Sequence, residues 1–188
     1  MSQAVRYRAC NHSQRGVTKK TGKARKLGYC SDVTERWTQK VKESAAAILL
    51  DTDGRLLLQL RDNVPHIQNP GKIGLFGGGR EGNESFLDCV EREIHEEIGY
   101  YLPAERFELI FRWFGPGDTV SGNAAVRVEL FLARDVPVER LTVMEGSLKI
   151  VALDELKQLQ DALTPGALHA LEIFLDREQL SRGRQSER

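Results

Sequence analysis

Residues 78–100 read GGREGNESFLDCVEREIHEEIGY. Within them Phe86, Val90, Ile94 and Ile98 recur at every fourth position and Leu87 widens the stripe, so the spacing predicts an amphipathic helix from Ser85 to Ile98. Ser85, followed three residues on by Asp88, suits a capping box, and Asn83 is the other candidate cap. Gly99 stands where a left-handed C-terminal cap is wanted. Glu93, Glu96 and Glu97 fall at i, i+3 and i+4, which puts three carboxylates on one helical face, about 5–6 Å apart at Cβ. Two carboxylates about 4 Å apart repel by about 4 kcal/mol at an effective dielectric near 20. A divalent cation would explain why the helix carries them together. Oxygen ligands alone select a hard metal, Mg²⁺ first and Mn²⁺ second, over zinc. Arg92 can lean across that face and hold a carboxylate in a bidentate pair, and Gly77, Gly78 and Gly79 read as a loop that lets backbone approach a metal or a phosphate. Three glutamates alone, with Arg92 in a surface ion pair, suit a solvated acidic face better than a site. The glycines beside them shift the balance towards a site.

Outward from this segment, Ala45 to Leu50 and Arg55 to Arg61 are extended apolar stretches joined by Asp51-Thr52-Asp53-Gly54, a hairpin signal. Asn69-Pro70-Gly71 breaks the chain before a short extended stretch, Ile73 to Phe76. Beyond the helix, Phe107 to Phe114 and Ala125 to Ala133 read as strands separated by a Gly/Pro-rich loop from Gly115 to Asn123, and Lys149 to Leu153 as another strand. A second helix is expected from Thr164-Pro165 onward, through Leu168, Leu171, Phe174 and Leu175, with a polar tail over 181–188. Strands on either side of one long helix, with a second helix at the end, imply an α/β fold in which helices cover both faces of a mixed sheet.

The 188 residues suit one domain, and 40% hydrophobic with 29% charged residues is globular composition. A net charge of zero conceals an asymmetry, because residues 1–42 hold 11 Lys and Arg against Asp32 and Glu35, a net of +9, and the remainder carries −9. An acidic domain acting on phosphates needs a cation. The segment 1–42 lacks helical or strand periodicity and reads as a flexible basic extension. Its scarcity of acids is shared with organelle transit peptides, but it has no amphipathic face. Cys10, His12 and Cys30 could offer three zinc ligands, without an evident fourth. No apolar run approaches the roughly 18 residues of a membrane span, no secretory signal is visible, and three scattered cysteines indicate no disulfide framework. A cytoplasmic protein is the expectation.

Gly78, Glu84, Arg92, Glu93, Ile94, Glu96, Glu97 and Gly99 match in register the Nudix box, G-x5-E-x7-R-E-U-x-E-E-x-G-U with U a bulky aliphatic residue. Tyr100 departs at the last position. The segment therefore resembles the Nudix hydrolases, and the likeness spans about residues 43–180. It implies a Nudix-type α/β/α sandwich with a mixed sheet behind the basic extension, and hydrolysis of a nucleoside diphosphate linked to a group X. It also implies that Glu93, Glu96, Glu97 and the Gly78 carbonyl hold Mg²⁺ or Mn²⁺, while Glu84 and Arg92, with Gly99, support the loop-helix-loop. Family members often carry a later glutamate before glycine. Glu145-Gly146 resembles that position, and Glu129 is a second candidate. Glu93, Glu97 and Glu145 all stay open as the base that activates water. Where many members read Phe-Pro-Gly-Gly, this chain has Phe76-Gly77-Gly78-Gly79, so a more mobile loop is expected.

Metals on a diphosphate neutralise its oxygens and acidify a bound water, so attack at phosphorus needs no covalent intermediate. The base should be recognised outside the box, with Arg112, Trp113 and Phe114 as candidates beside Phe111. Alternation places Phe111 and Trp113 on one face and Arg112 and Phe114 on the other. Pro116, 16 residues past the box, lies near a proline of the ADP-ribose-cleaving members and tilts the reading towards ADP-sugars. Nucleoside triphosphates and dinucleoside polyphosphates are close competitors. Two alternatives stand beside the enzyme: a nucleotide-sensing module without catalysis, and an RNA-directed member whose basic extension makes weak nucleic-acid contacts. The sequence is also compatible with a homodimer.

Overall fold

A computed structural model of the chain describes residues 41–116 and 125–185. The basic segment up to residue 40, with Cys10, His12 and Cys30, lies outside the described residues, as do 117–124 and 186–188. Among the described residues seven strands and two α-helices, joined in places by short 3-10 turns, build the fold: β1 (Lys42–Asp51), β2 (Leu56–Leu60), β3 (Ile73–Gly74), β4 (Phe76–Gly79), α1 (Phe86–Ile98), β5 (Glu108–Pro116), β6 (Ala125–Val136), β7 (Ser147–Val151) and α2 (Pro165–Gln185). One mixed sheet runs in the order β3-β2-β1-β6-β5, with β4 paired to β1 and β7 to β2. β1 and β6 are parallel, and the other pairings are antiparallel.

Alternation along β1 divides the core in two. Ala45, Ala47 and Leu49 join Cys89, Val90, Ile94 and Ile98 of α1, whereas Ile48 and Leu50 join Ala167, Ala170, Leu171 and Phe174 of α2. A helix thus covers each face of the sheet, the α/β/α sandwich expected from the sequence. The small side chains of Ala45 and Ala47 let α1 lie close to the strand. Val90, Ile94 and Ile98 are each fully buried, and each contributes about 1.5–3 kcal/mol relative to exposure. The expected capping box forms: Ser85 Oγ accepts from Asp88 N at 3.1 Å, and Ser85 N donates to Asp88 Oδ2 at 3.0 Å. Gly99 closes α1 at φ 60°.

Several expectations change, among them the strand expected over Lys149 to Leu153, which runs from Ser147 to Val151, and that expected to end at Ala133, which continues to Val136. The glycines read as a mobile loop form β4, where Ala46 and Ala45 of β1 pair with Gly77 and Gly78. Only glycine allows this approach, since Gly77 sits at φ +134° and a Cβ there would stand 2.3 Å from the Ala45 carbonyl oxygen. α2 continues to Gln185, so residues 181–185 of the expected tail are helical. The strand expected over Phe107 to Phe114 runs from Glu108 to Pro116, with a register shift between Leu109 and Phe111. Among the described residues no helix is long and apolar enough to cross a membrane.

Candidate active site

β4 delivers the chain into α1, and the pairing of Gly78 with Ala45 places both on the α1 side of the sheet. Glu93 lies directly over Gly78, so closely that a Cβ at that position would come within 2.4 Å of its carboxylate. A side chain at position 78 would displace the Glu93 carboxylate from this place. One turn further along, Glu97 is 9% exposed. Its Oε2 accepts from the Gly77 amide at 2.7 Å and its Oε1 from Gln59 Nε2 at 3.2 Å. Burial is the main reason its carboxyl is pushed up to about 7; the Gly77 hydrogen bond opposes this, and the charges of Glu93 and Glu145 add to it. Glu93 is also raised, again chiefly by burial and partly offset by Arg92.

Arg92 ties the helix to the preceding turn. Its Nε and Nη2 donate to Glu84 at 3.2 and 2.8 Å, Nη2 also reaches the Gly79 carbonyl at 3.0 Å, and Nη1 donates to Glu93 at 2.9 Å and Glu96 at 3.1 Å. The Arg92 hydrogen bond is the largest cause holding the Glu84 carboxyl down at about 2, with the Glu81 amide second. Behind this shell the Cys89 thiol, pushed up to about 11 mainly by burial, lies 3.8 Å from the Gly78 carbonyl.

The three box glutamates are not equivalent. Glu96 is 59% exposed at its side chain against 16% for Glu93, and Arg92 Nη1 lies between the two. Among the described residues no group of three or more His, Cys, Asp and Glu side chains forms a ready metal cage. The donor chemistry nevertheless fits a hard divalent cation: carboxylates of Glu93, Glu96 and Glu97 together with the Gly78 carbonyl, all oxygen, beside a glycine that leaves space for them. Glu145 belongs to the same neighbourhood, since its charge acts on Glu97 and its carbonyl accepts from Gln59 at 3.2 Å.

Glu129 stands on the same side of the sheet, in a cross-strand row that runs Gly78, Ala45, Glu129, Arg112. Arg112, 69% exposed at its side chain, donates Nε to Glu129 at 2.9 Å. Phe114 shares this face, with Arg127 over its ring at 5.7 Å. Trp113 does not: with Phe111 it faces α2, where both rings meet His169 edge-on at 6.1 Å. Arg112, Trp113 and Phe114 are thus divided between two faces. On the α2 side, Phe111, Trp113 and His169 border an apolar groove of about 450 Å³, with Ser44, Ala46 and Leu75 along another wall. Ser44 and Ala46 pair with Gly79 and Gly77, so the groove lies on the opposite face of the β1–β4 pair from the carboxylates. His169 and Gln59 escaped the sequence reading. A glutamine inside the apolar run Leu56 to Leu60 was the available signal for the second, and nothing local marks the first.

Comparison with known proteins gives a consistent picture. The NUDIX domain model matches residues 40–174. No curated protein matches the chain. Among solved structures, the MutT NUDIX hydrolase from Burkholderia pseudomallei is similar at 25% identity and a TM-score of 0.53, covering 71% of this chain and 98% of that one. The NUDIX domain of Shewanella oneidensis NrtR, complexed with ADP ribose, shares the fold at 18% identity and a TM-score of 0.59, covering 80% of this chain and 94% of that one. A bifunctional NMN adenylyltransferase/ADP ribose pyrophosphatase from Francisella tularensis, complexed with AMP and a Mn ion, does so at 18% identity and a TM-score of 0.60, covering 78% of this chain and 44% of that one. With the box residues assembled around β4 and α1 and the family model matched across the sandwich, the chain belongs to the Nudix hydrolase family.

Proposed function

We propose that the protein hydrolyses a phosphoanhydride bond in a nucleoside diphosphate linked to a second group X, using Mg²⁺ or Mn²⁺, with ADP-sugars such as ADP-ribose as the favoured class. The observation that carries this reading is the placement of Glu93 over Gly78 beside the buried Glu97. A cation held by Glu93, Glu96, Glu97 and the Gly78 carbonyl would offset the charge of the diphosphate oxygens and make a nearby water easier to deprotonate. Arg92 keeps Glu93 turned towards Gly78. Glu97, whose burial pushes it up to about 7 before a cation binds, Glu93 and the nearby Glu145 are the carboxylates placed to take the proton. Water adds to one phosphorus, the bridging P–O bond breaks, and the proton passes to the carboxylate, giving a nucleoside monophosphate and phosphorylated X. Arg112 is suited to a phosphate oxygen once it leaves Glu129, and the Phe111, Trp113 and His169 groove offers flat walls to a nucleobase.

ADP-sugars are favoured by Pro116 at the end of β5 and by the fold shared with proteins bound to ADP ribose or acting on it. The test is a screen of ADP-ribose, nucleoside triphosphates and dinucleoside polyphosphates with Mg²⁺ and with Mn²⁺, reading phosphate after a phosphatase step. Turnover abolished by EDTA and restored by metal is expected. Nucleotide binding without turnover would instead identify a sensing module, and full turnover in excess EDTA would remove the metal from the chemistry.

A further inference from the structure

β2 reads Leu56-Leu57-Leu58-Gln59-Leu60, and its polar residue is only 1% exposed. A buried carboxamide without partners costs about 1–3 kcal/mol, so its contacts matter. Gln59 Nε2 donates to Glu97 Oε1 and to the Glu145 carbonyl, both at 3.2 Å, while Oε1 accepts from Arg61 Nη1 at 3.4 Å. The partners dictate the amide's orientation, because the flipped form would set its oxygen against a carboxylate and its NH₂ against a guanidinium. Arg61 is itself anchored, with Nε donating to the Gln68 carbonyl at 2.8 Å. Glu97 is therefore held from two strands at once, by Gln59 of β2 and by the Gly77 amide of β4. The Glu145 segment is fastened to the same place: Met144 N donates to the Glu97 carbonyl at 2.8 Å, and Gly146 passes so near β2 that a Cβ there would stand 2.4 Å from the Leu60 carbonyl oxygen.

We propose that Gln59 is a positioning residue for the hydrolysis, fixing the Glu97 carboxylate and registering the Glu145 segment against it. The proposal rests on the hydrolase reading above. Gln59 acts through two other residues, one on the helix and one on a segment 48 positions later in the chain. Without its amide, Glu97 would be free to change rotamer and the Glu145 segment would lose its tie to β2. Cation affinity and kcat should fall together, while KM for the nucleotide, set by the groove and Arg112, should stay near its original value.

The test is Gln59→Met, which keeps length and approximate volume but has no donor. Mn²⁺ binding is measured without substrate by the electron spin resonance of free Mn²⁺, alongside kcat, KM and the thermal midpoint in EDTA. Removing a group that orients a metal ligand typically weakens binding by about 10- to 100-fold, and a loss in that range is expected for Mn²⁺, with a matching fall in kcat. In a Glu97→Gln background most of that loss should vanish, since the amide acts largely through this carboxylate. A lowered midpoint with wild-type Mn²⁺ affinity and kcat would overturn the proposal, and so would losses that multiply in full in the double variant. If Gln59→Met does not fold, Arg61→Met leaves the amide in place but releases its oxygen. A smaller weakening of Mn²⁺ binding is then expected, and unchanged binding would overturn the proposal. A wild-type protein that neither binds Mn²⁺ nor hydrolyses any nucleotide would defeat the hydrolase reading itself, whereas wild-type Mn²⁺ binding by Gln59→Met defeats the positioning role alone.

Discussion

Arg92 grips Glu84 with two prongs, Nε to Oε2 at 3.2 Å and Nη2 to Oε1 at 2.8 Å, and from that anchorage extends Nη1 to Glu93. The pair converts a turn and a helix into one rigid unit, because Glu84 also accepts from the Glu81 amide at 2.7 Å. Lysine at position 92 keeps the charge but loses the fork. Arg92→Lys should therefore leave Glu93 poorly held and weaken Mn²⁺ binding by about tenfold or more, read by the same metal titration.

Glu84 has a folded-state carboxyl held down at about 2, below the usual 4.5. A lowered folded value stabilises the protein above the unfolded value, and that stabilisation is lost as pH falls through the folded one. Glu84→Gln should therefore cost stability at neutral pH, and its deficit should close between pH 4.5 and about 2. Thermal midpoints of the two proteins in EDTA across that window check this. A deficit unchanged with pH would mean the Arg92 pair does not set the titration.

Every residue assigned a role in the site lies beyond β1's first residue, Lys42. Deleting residues 1–40 should consequently leave hydrolysis of small nucleotides nearly intact. A large fall in kcat for the truncated protein would show that the basic segment completes the site.

What could be read in advance depended on how local the signal was. The helix was legible because Phe86, Val90, Ile94 and Ile98 repeat at its own period, with Ser85, Asp88 and Gly99 marking its ends. Gly77, Gly78 and Gly79 read as a loop because glycine has weak strand propensity; their pairing depends on β1, some 30 residues earlier, and on the lack of side chains beneath Glu93. The same spacing that put three glutamates on one face could not say that Glu96 is exposed and Glu97 buried, since that follows from the packing of α1 on β4 and from the donors that Gly77 and Gln59 bring to Glu97. Gln59 belongs with Glu97 through a contact 38 residues away in sequence, and His169 meets Trp113 only because α2 folds back over β5. Alternation along 111–114 did foretell that Arg112 and Trp113 face opposite ways, because the bulge at Ile110 precedes both.

The groove beside α2 makes a separable prediction. If a nucleobase lies against Phe111, Trp113 and His169, removing one wall should reduce base affinity without disturbing the carboxylates on the other face of the sheet. A base stacked on an aromatic ring is worth about 1–3 kcal/mol. Trp113→Ala should raise KM for the preferred nucleotide by roughly 5- to 150-fold on that basis, with Mn²⁺ affinity in the absence of substrate unchanged. An unchanged KM would place the base elsewhere.

The last prediction separates stability from chemistry at Glu97. Its folded-state carboxyl lies at about 7, above the usual 4.5, so the sign is opposite to that of Glu84. A raised folded value means that stability is fully present below the unfolded value and is lost as pH rises through the folded one. In EDTA the ionised carboxylate should thus cost up to about 3 kcal/mol above pH 7. Glu97→Gln removes that cost, but both carboxylate oxygens accept hydrogen bonds, from Gln59 and from Gly77. The new NH₂ must face one of these donors, a mismatch worth about 1–3 kcal/mol. The two effects oppose each other: the variant should match wild type in stability above pH 7 and fall below it near pH 5, where wild-type Glu97 is already protonated and its hydroxyl oxygen, unlike an NH₂, can still accept from either donor. Activity should not follow this pattern, because a lost metal ligand and base costs several kcal/mol in the transition state at every pH. Denaturant unfolding in EDTA and kcat/KM with Mg²⁺, each measured on both sides of pH 7, provide the comparison. If Glu97→Gln retains wild-type turnover at saturating Mg²⁺ on a confirmed substrate, Glu97 is a buried structural acid and the base lies with Glu93 or Glu145.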